Sequence, residues 1–237
     1  MPQISGYSKH TSRLWGTCTK YTRIISFLFL GLLIPTIPAN SAPANSLPRL
    51  HQLAIPILGV TLNPDRAPVG VVTHIVIHFE QRQDHNGLRL RFRVDPGKFS
   101  SYAKKAVAQA ITRASQAAHL HTDSWTIYLT FPYQGQTMYG DSLSAMVGLS
   151  VIAMAKGDSL IYGRTLTGTI TEDGHIGRVG GIPYKVEAAY AEHMDRILIP
   201  EEQDIGDGDW RNPFMMQISP VGTIDKAYYA LTGNSFQ

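Results

Sequence analysis

Apolar residues run along this chain in three patterns. One is a charge-free block, Ile24-Ile-Ser-Phe-Leu-Phe-Leu-Gly-Leu-Leu-Ile34, directly after Lys20 and Arg23. A second is β-like: Val69-Gly-Val-Val-Thr-His-Ile-Val-Ile-His-Phe79, Leu88-Arg-Leu-Arg-Phe-Arg-Val94 and Trp125-Thr-Ile-Tyr-Leu-Thr-Phe131 alternate or are rich in β-branched residues, which predicts strands. Asp84-His-Asn-Gly87, between the first two, has hairpin turn chemistry. The third pattern is helical. Ala103, Val107, Ala110, Ile111 and Ala114 recur at the spacing of one helix face, predicting an amphipathic helix over Ser100–Ala118. Ser144–Ala155 is apolar all round and reads as a buried helix, and Pro183–His193 as a helix with proline at its start. Short strands are expected over Arg164–Thr171, Arg196–Ile199 and Met215–Ser219. A closing helix is expected over Thr223–Leu231, with Thr223 as N-cap and Gly233 as terminator.

These elements assemble most economically as one α/β domain with a mixed β-sheet and flanking helices over residues 67–237. Residues 45–66, with Pro48, Pro56 and Pro64 and no clean apolar period, read as an extended lead-in segment or tether. Residues 1–44 read as an export signal: a basic start, the apolar block, then prolines and small residues, with Ala42-Pro43-Ala44 fitting the small-x-small cleavage rule. The alternative is an uncleaved membrane anchor through residues 24–37. Prolines interrupt that stretch short of the roughly 20 apolar residues of a full span. Either way the domain is expected outside the cytoplasm, periplasmic or secreted, or else anchored and facing outward.

Charge sharpens this division. The chain of 237 residues has a formal charge of +3, but four of its 21 basic side chains, Lys9, Arg13, Lys20 and Arg23, lie in the first 44 residues beside no acid. The remainder carries 17 basic and 18 acidic groups, which argues against a nucleic-acid partner. The one cysteine, Cys18, also falls in the leader, so neither a disulfide framework nor a cysteine-ligated zinc site is available to the domain.

Two segments carry candidate chemistry. Tyr139-Gly-Asp-Ser-Leu-Ser-Ala145 leads directly into the apolar helix, placing serine hydroxyls beside free backbone N–H groups at the positive end of a helix dipole. Read alone, Asp141, Ser142 or Ser144 serves equally well as a helix cap. Lys185 follows a Gly180-Gly181 turn among Ile182, Pro183, Tyr184 and Val186. If buried there, its amine would favour the neutral form that can take a serine's proton; a solvated lysine at a helix start is the plainer reading.

Taken together, Asp141-Ser-Leu-Ser144-Ala145-Met146, Thr167-Gly168-Thr169-Ile170-Thr171 and Gly180-Gly181-Ile-Pro-Tyr-Lys185 resemble, in order and spacing, the three motifs of the proteolytic domain of Lon proteases. The resemblance spans about residues 67–233. It implies a Lon-like fold, a nucleophile at Ser144, a base at Lys185, Thr167 orienting the lysine, and Asp141 nearby. It implies polypeptide substrates, no cofactor and ring-like homo-oligomers. The chain departs from the family pattern at Ser142 and Leu143, which replace glycine and proline, at Met146, which replaces glycine, and at Thr169, which replaces glutamate. Strained backbone would be expected where glycine is lost.

Other signals lead elsewhere. Gly140-Asp-Ser-Leu143 and Gly157-Asp-Ser-Leu160 spell the GDSL string of exported esterases, but no aspartate is followed three positions later by histidine. His74 with His78, and His119 with His121, would share strand faces if extended, without a carboxylate in ligand spacing. The acidic run Glu201–Asp209 lacks a calcium-loop pattern. No Gly-x-x-x-x-Gly-Lys-Ser/Thr loop occurs. The expectation is an exported, ATP-independent serine endopeptidase using Ser144 and Lys185. A non-catalytic Lon-like binding or scaffold domain is the alternative, with a GDSL-type esterase using Ser142 further behind.

Overall fold

A computed structural model describes residues 52–202 and 213–237. The 1–44 leader, the 24–37 apolar block and most of the acidic 201–209 run lie outside them. In chain order the elements are β1 (Gln52–Leu62), β2 (Pro68–Gln81), β3 (Arg89–Phe92), β4 (Lys98–Phe99), α1 (Ser101–Ala117), β5 (Trp125–Thr130), β6 (Thr137–Met138) and α2 (Ser144–Lys156). There follow β7 (Arg164–Leu166), β8 (Thr169–Ile170), β9 (Ile176–Gly177), α3 (Ile182–Ala191), β10 (Arg196–Pro200), β11 (Gln217–Val221) and α4 (Ile224–Thr232).

The main sheet has the order β1-β2-β5-β3, with β1 and β5 antiparallel to β2 and β3 parallel to β5. It is therefore mixed. A second sheet, β11-β10-β7, is wholly parallel, and the pairs β4–β6 and β8–β9 are short. Among the described residues, no helix is long and apolar enough to cross a membrane.

Helix α2 is the centre of the core, every residue from Ser144 to Met154 being buried. That follows from a sequence with no polar face to turn outward. Helix α1 packs on it through the positions its spacing marked, Ala103, Val107, Ala110, Ile111 and Ala114, and is capped by the Ser100 hydroxyl, which accepts from Ala103 N–H at 3.1 Å. Gly148 of α2 sits so close to α1 that a Cβ there would lie 3.1 Å from the Ala110 carbonyl oxygen. Helix α4 closes the core, with Thr223 as its N-cap and Gly233 in a left-handed C-cap.

Gln52–Leu62 is the edge strand of the main sheet rather than a tether. Ile55 and Ile57 enter the core around α2, whereas Leu58 joins a second cluster with Val179, Ile182, Val186 and Ile199. A strand buried on both faces shows no alternation, which is why its sequence lacks a period. Pro56 is tolerated because β1 lies at the sheet edge.

The Asp84–Gly87 turn also differs from expectation: β2 and β3 do not pair, because β5 lies between them. The segment is a crossing held by Arg82. Its guanidinium donates to the Trp125, Asp123 and Gly87 carbonyls, to Thr126 Oγ1 and to the Asp84 carboxylate. That last bond holds Asp84 below the usual carboxylate range. The expected Arg164–Thr171 strand is two, broken at Thr167-Gly168, whose backbone turns to serve the neighbouring serine loop. His119 has a left-handed φ of 53° at the end of α1, so it and His121 lie on no strand.

Arg82→Lys keeps the charge but loses the planar fork, and is expected to destabilise the domain by about 1–3 kcal/mol. The check is a lower denaturant midpoint at unchanged m-value. Because Asp84 is depressed in the folded state, its share of that stability is present at neutral pH. The deficit should therefore narrow as pH falls below 3.8.

Candidate active site

The serine loop, residues 139–143, is held from two sides. On one, Ser100 N–H donates to the Met138 carbonyl at 2.9 Å and the Ser100 hydroxyl to the Tyr139 carbonyl at 3.1 Å. On the other, Gly168 makes a reciprocal pair: its N–H donates to the Ser142 carbonyl at 2.8 Å, and its carbonyl accepts from Ala145 N–H at 3.1 Å. The Thr167 hydroxyl adds a long 3.5 Å bond to the same Ser142 carbonyl. Thr167 thus also touches the serine loop.

No side chain caps α2. Leu143 occupies the N-cap position with φ −83° and ψ −15°, so the helix-cap role open to Asp141, Ser142 and Ser144 falls away. The strain expected from lost glycines is also absent, since no residue of the loop has a left-handed φ. Leu143 and Met146 are both buried in the core, filling space with apolar volume. Ser144 is 1% exposed. Its N–H donates to the Asp141 carbonyl at 2.8 Å. With Ala145 N–H on Gly168, the first two amides of α2 are engaged.

Lys185 is 3% exposed at the start of α3, and its Nζ donates to the Gly180 carbonyl at 2.9 Å. Gly181, with φ 74°, supplies the left-handed N-cap that turns the chain into the helix. The helix is seated on β2 at Gly70, where a Cβ would come 1.8 Å from the Tyr184 carbonyl oxygen. An isolated glycine inside a strand pattern signals such close approach, and it was the one sign in the sequence of where Lys185 would be anchored.

Two cavities meet at this loop. A groove of about 880 Å³ is lined by Leu58, Val71, Phe131, Asp141, Ser142 and Lys185, among others. A smaller one of about 290 Å³ is lined by Tyr102, Lys105, Arg113, Asp141 and Ser144, among others. Asp141 thus belongs to both, while Ser144 faces the smaller and Lys185 the larger. The Asp141 carboxylate accepts from the exposed Tyr102 hydroxyl at 2.7 Å, and this bond holds the phenol above the ordinary tyrosine range. At the other end of the smaller cavity the Arg113 guanidinium donates to the Ile170 carbonyl and to Glu172. Tyr102 joins the site without any signal in the sequence, and Gly168, quoted there only as part of a motif, holds the serine loop through its backbone.

The histidine pairs are apart from all this. His74 is exposed on β2, and His78 bonds Glu80 and stacks edge-on against Tyr128.

The α/β domain thus holds a buried serine at the start of an uncapped apolar helix and a buried lysine lining a groove beside it. Its sequence relatives are proteases. The chain is similar to proteins named Archaeal Lon protease: 25% identical over 162 residues in Methanocaldococcus jannaschii, covering 67% of this chain and 24% of that protein. The match is 26% over 178 residues in Methanothermobacter thermautotrophicus, covering 74% and 27%, and 27% over 142 residues in Thermoplasma volcanium, covering 59% and 21%. No family model matches the chain. The relatives and the mixed α/β architecture support a likeness to the proteolytic domain of Lon proteases, and the chain spans about a quarter of the length of these relatives.

Gly70→Ala should push the Tyr184 carbonyl, and with it the first turn of α3, off the sheet, at a cost of about 1–3 kcal/mol. Backbone amide shifts around Lys185 should move in an NMR spectrum. Gly140→Ala, where nothing lies nearer than 3.7 Å, should leave stability unchanged. Equal stability of the two variants would contradict the close seating of α3.

Proposed function

We propose that this chain is an ATP-independent serine endopeptidase that cleaves unfolded or flexible polypeptides outside the cytoplasm. The observation that carries the reading is the buried Lys185 amine lining a groove shared with the loop that opens α2. The groove is open and partly apolar, a shape suited to an extended chain. The name of the chain's relatives, Archaeal Lon protease, supports a peptidase.

In this mechanism Ser144 Oγ attacks the peptide carbonyl and Lys185, unprotonated, takes the serine's proton, then returns it to the leaving amine. Backbone N–H groups at the start of α2 stabilise the oxyanion. Those of Ser144 and Ala145 are bonded to Asp141 and Gly168, and Ser144 faces a different cavity from Lys185. In this reading, movement of the 139–143 loop frees these amides and opens the way from the groove to Ser144, which stays at the start of α2. Thr167 and Asp141 act by holding the loop. The chain contains no phosphate-cradling loop, so cleavage proceeds without nucleotide hydrolysis by these residues. Ring-like assembly is part of this proposal through the family resemblance.

The same placement favours a second reading, a Lon-like binding domain whose serine is out of reach. Casein and a short-chain ester, incubated with wild type, Ser142→Ala, Ser144→Ala and Lys185→Ala, separate the readings. Casein cleavage should fall at least about a thousandfold in Ser144→Ala and Lys185→Ala, stay near wild type in Ser142→Ala, and be indifferent to ATP. Cleavage that survives Ser144→Ala sinks the assignment. An inert wild type favours the binding domain, and ester hydrolysis lost only with Ser142 favours the esterase. Since a lysine base works unprotonated, the casein rate should rise with pH between about 6 and 9, and a flat profile argues against Lys185.

A further inference from the structure

Among the buried residues of strand β2, all but one are apolar. Thr73 stands in register with Ile57 of β1, at the end of the row that continues as Ile75, Ile77 and Phe79. It is 8% exposed, and among the described residues its hydroxyl is the buried side-chain polar atom left without a hydrogen-bond partner. Such a hydroxyl costs stability that an isosteric valine would not. Thr73 also lines the groove that holds Lys185, between Val72 and the Phe131 wall. An unsatisfied group is thus kept at the one place on the strand where a ligand could satisfy it.

We propose that Thr73 is a substrate-binding residue of the groove, its hydroxyl hydrogen-bonding a backbone amide of an extended polypeptide lying there. The inference rests on the peptidase reading for its choice of ligand. A hydroxyl both donates and accepts, so it can meet either the N–H or the C=O of a chain without regard to side-chain identity. A turn of about 120° about χ1 carries the hydroxyl to another staggered well, so the oxygen can turn to the groove without backbone movement. Val71, Val72 and Phe131 beside it leave the hydroxyl few other partners on that side of the groove. Because the bond forms on binding and is retained through the reaction, it acts on KM rather than kcat.

The test compares Thr73→Val with Thr73→Ser in the full chain. Fluorescein-labelled casein is titrated by anisotropy against each in a Ser144→Ala background, and casein cleavage is measured in the otherwise wild-type chain. Thr73→Val should weaken binding and raise KM three- to tenfold, the size of one net hydrogen bond, with kcat within a factor of two. Its Tm should be equal to or above the parent's, since the unmade bond is gone. Thr73→Ser should restore affinity and KM. Binding by Thr73→Val as tight as the parent's, or an equal loss in Thr73→Ser, overturns the proposal. So does a failure of the Ser144→Ala chain to bind casein at all. If the wild type binds but does not cleave, the peptidase reading fails, while the anisotropy series still decides the role of Thr73.

Discussion

Helix α2 has nothing to offer water, and the rest of the fold is arranged to keep water from it. Eleven consecutive residues, Ser144 to Met154, are buried, so one helix must be enclosed by α1, the main sheet, β8 and α4. The contact with α1 is close, a Cβ at position 148 falling 3.1 Å from the Ala110 carbonyl oxygen. Ser150, the polar residue inside it, turns its hydroxyl onto the Met146 carbonyl and so makes no demand on the surroundings. Enclosure fixes where the helix begins, and that beginning is Ser144. The site inherits its position from the core rather than from local loop chemistry, which is why a loop without the family's glycine and proline still holds unstrained backbone.

Lys185 is fixed by a different device. Its helix belongs to the second apolar cluster, to which β1 contributes Leu58, and it is seated against β2 at Gly70. The β1–β2 ribbon therefore separates the two cores while contributing to both. Serine and lysine are each anchored in a different apolar body, and the relation between them depends on the groove and loop that intervene. This explains how both residues can be deeply buried while lining different cavities.

Much of the fold could be read from the chain, because helices declare themselves locally. The face of α1, the caps of α4 and the buried character of α2 are all matters of spacing within about 20 residues. What escaped was non-local or two-faced. The apolar pattern of β1 was blurred by serving two cores. The insertion of β5 between β2 and β3 depends on the Arg82 fork, whose partners lie some 40 positions away. Two-residue strands such as β4 and β9 are too short to have a period. At the site, Ser144 and Lys185 were legible through motif order, but the loop-holding roles of Tyr102 and Gly168 arise only when the chain is folded. Thr73 is invisible in sequence because threonine is an ordinary residue in a strand, and only its missing partner singles it out.

The smaller cavity has ends of different kinds. At one, the partly buried Arg113 guanidinium grips a backbone carbonyl of β8 and a carboxylate. At the other, a single exposed phenol, Tyr102, holds Asp141. A charge-assisted bond to buried backbone is the stronger attachment, and an exposed side-chain pair is weakened by competition with water. The serine loop is therefore tied to its surroundings mainly through backbone, by Ser100 and Gly168, and the exposed Tyr102 bond to Asp141 is the weakest of its attachments to the cavity wall.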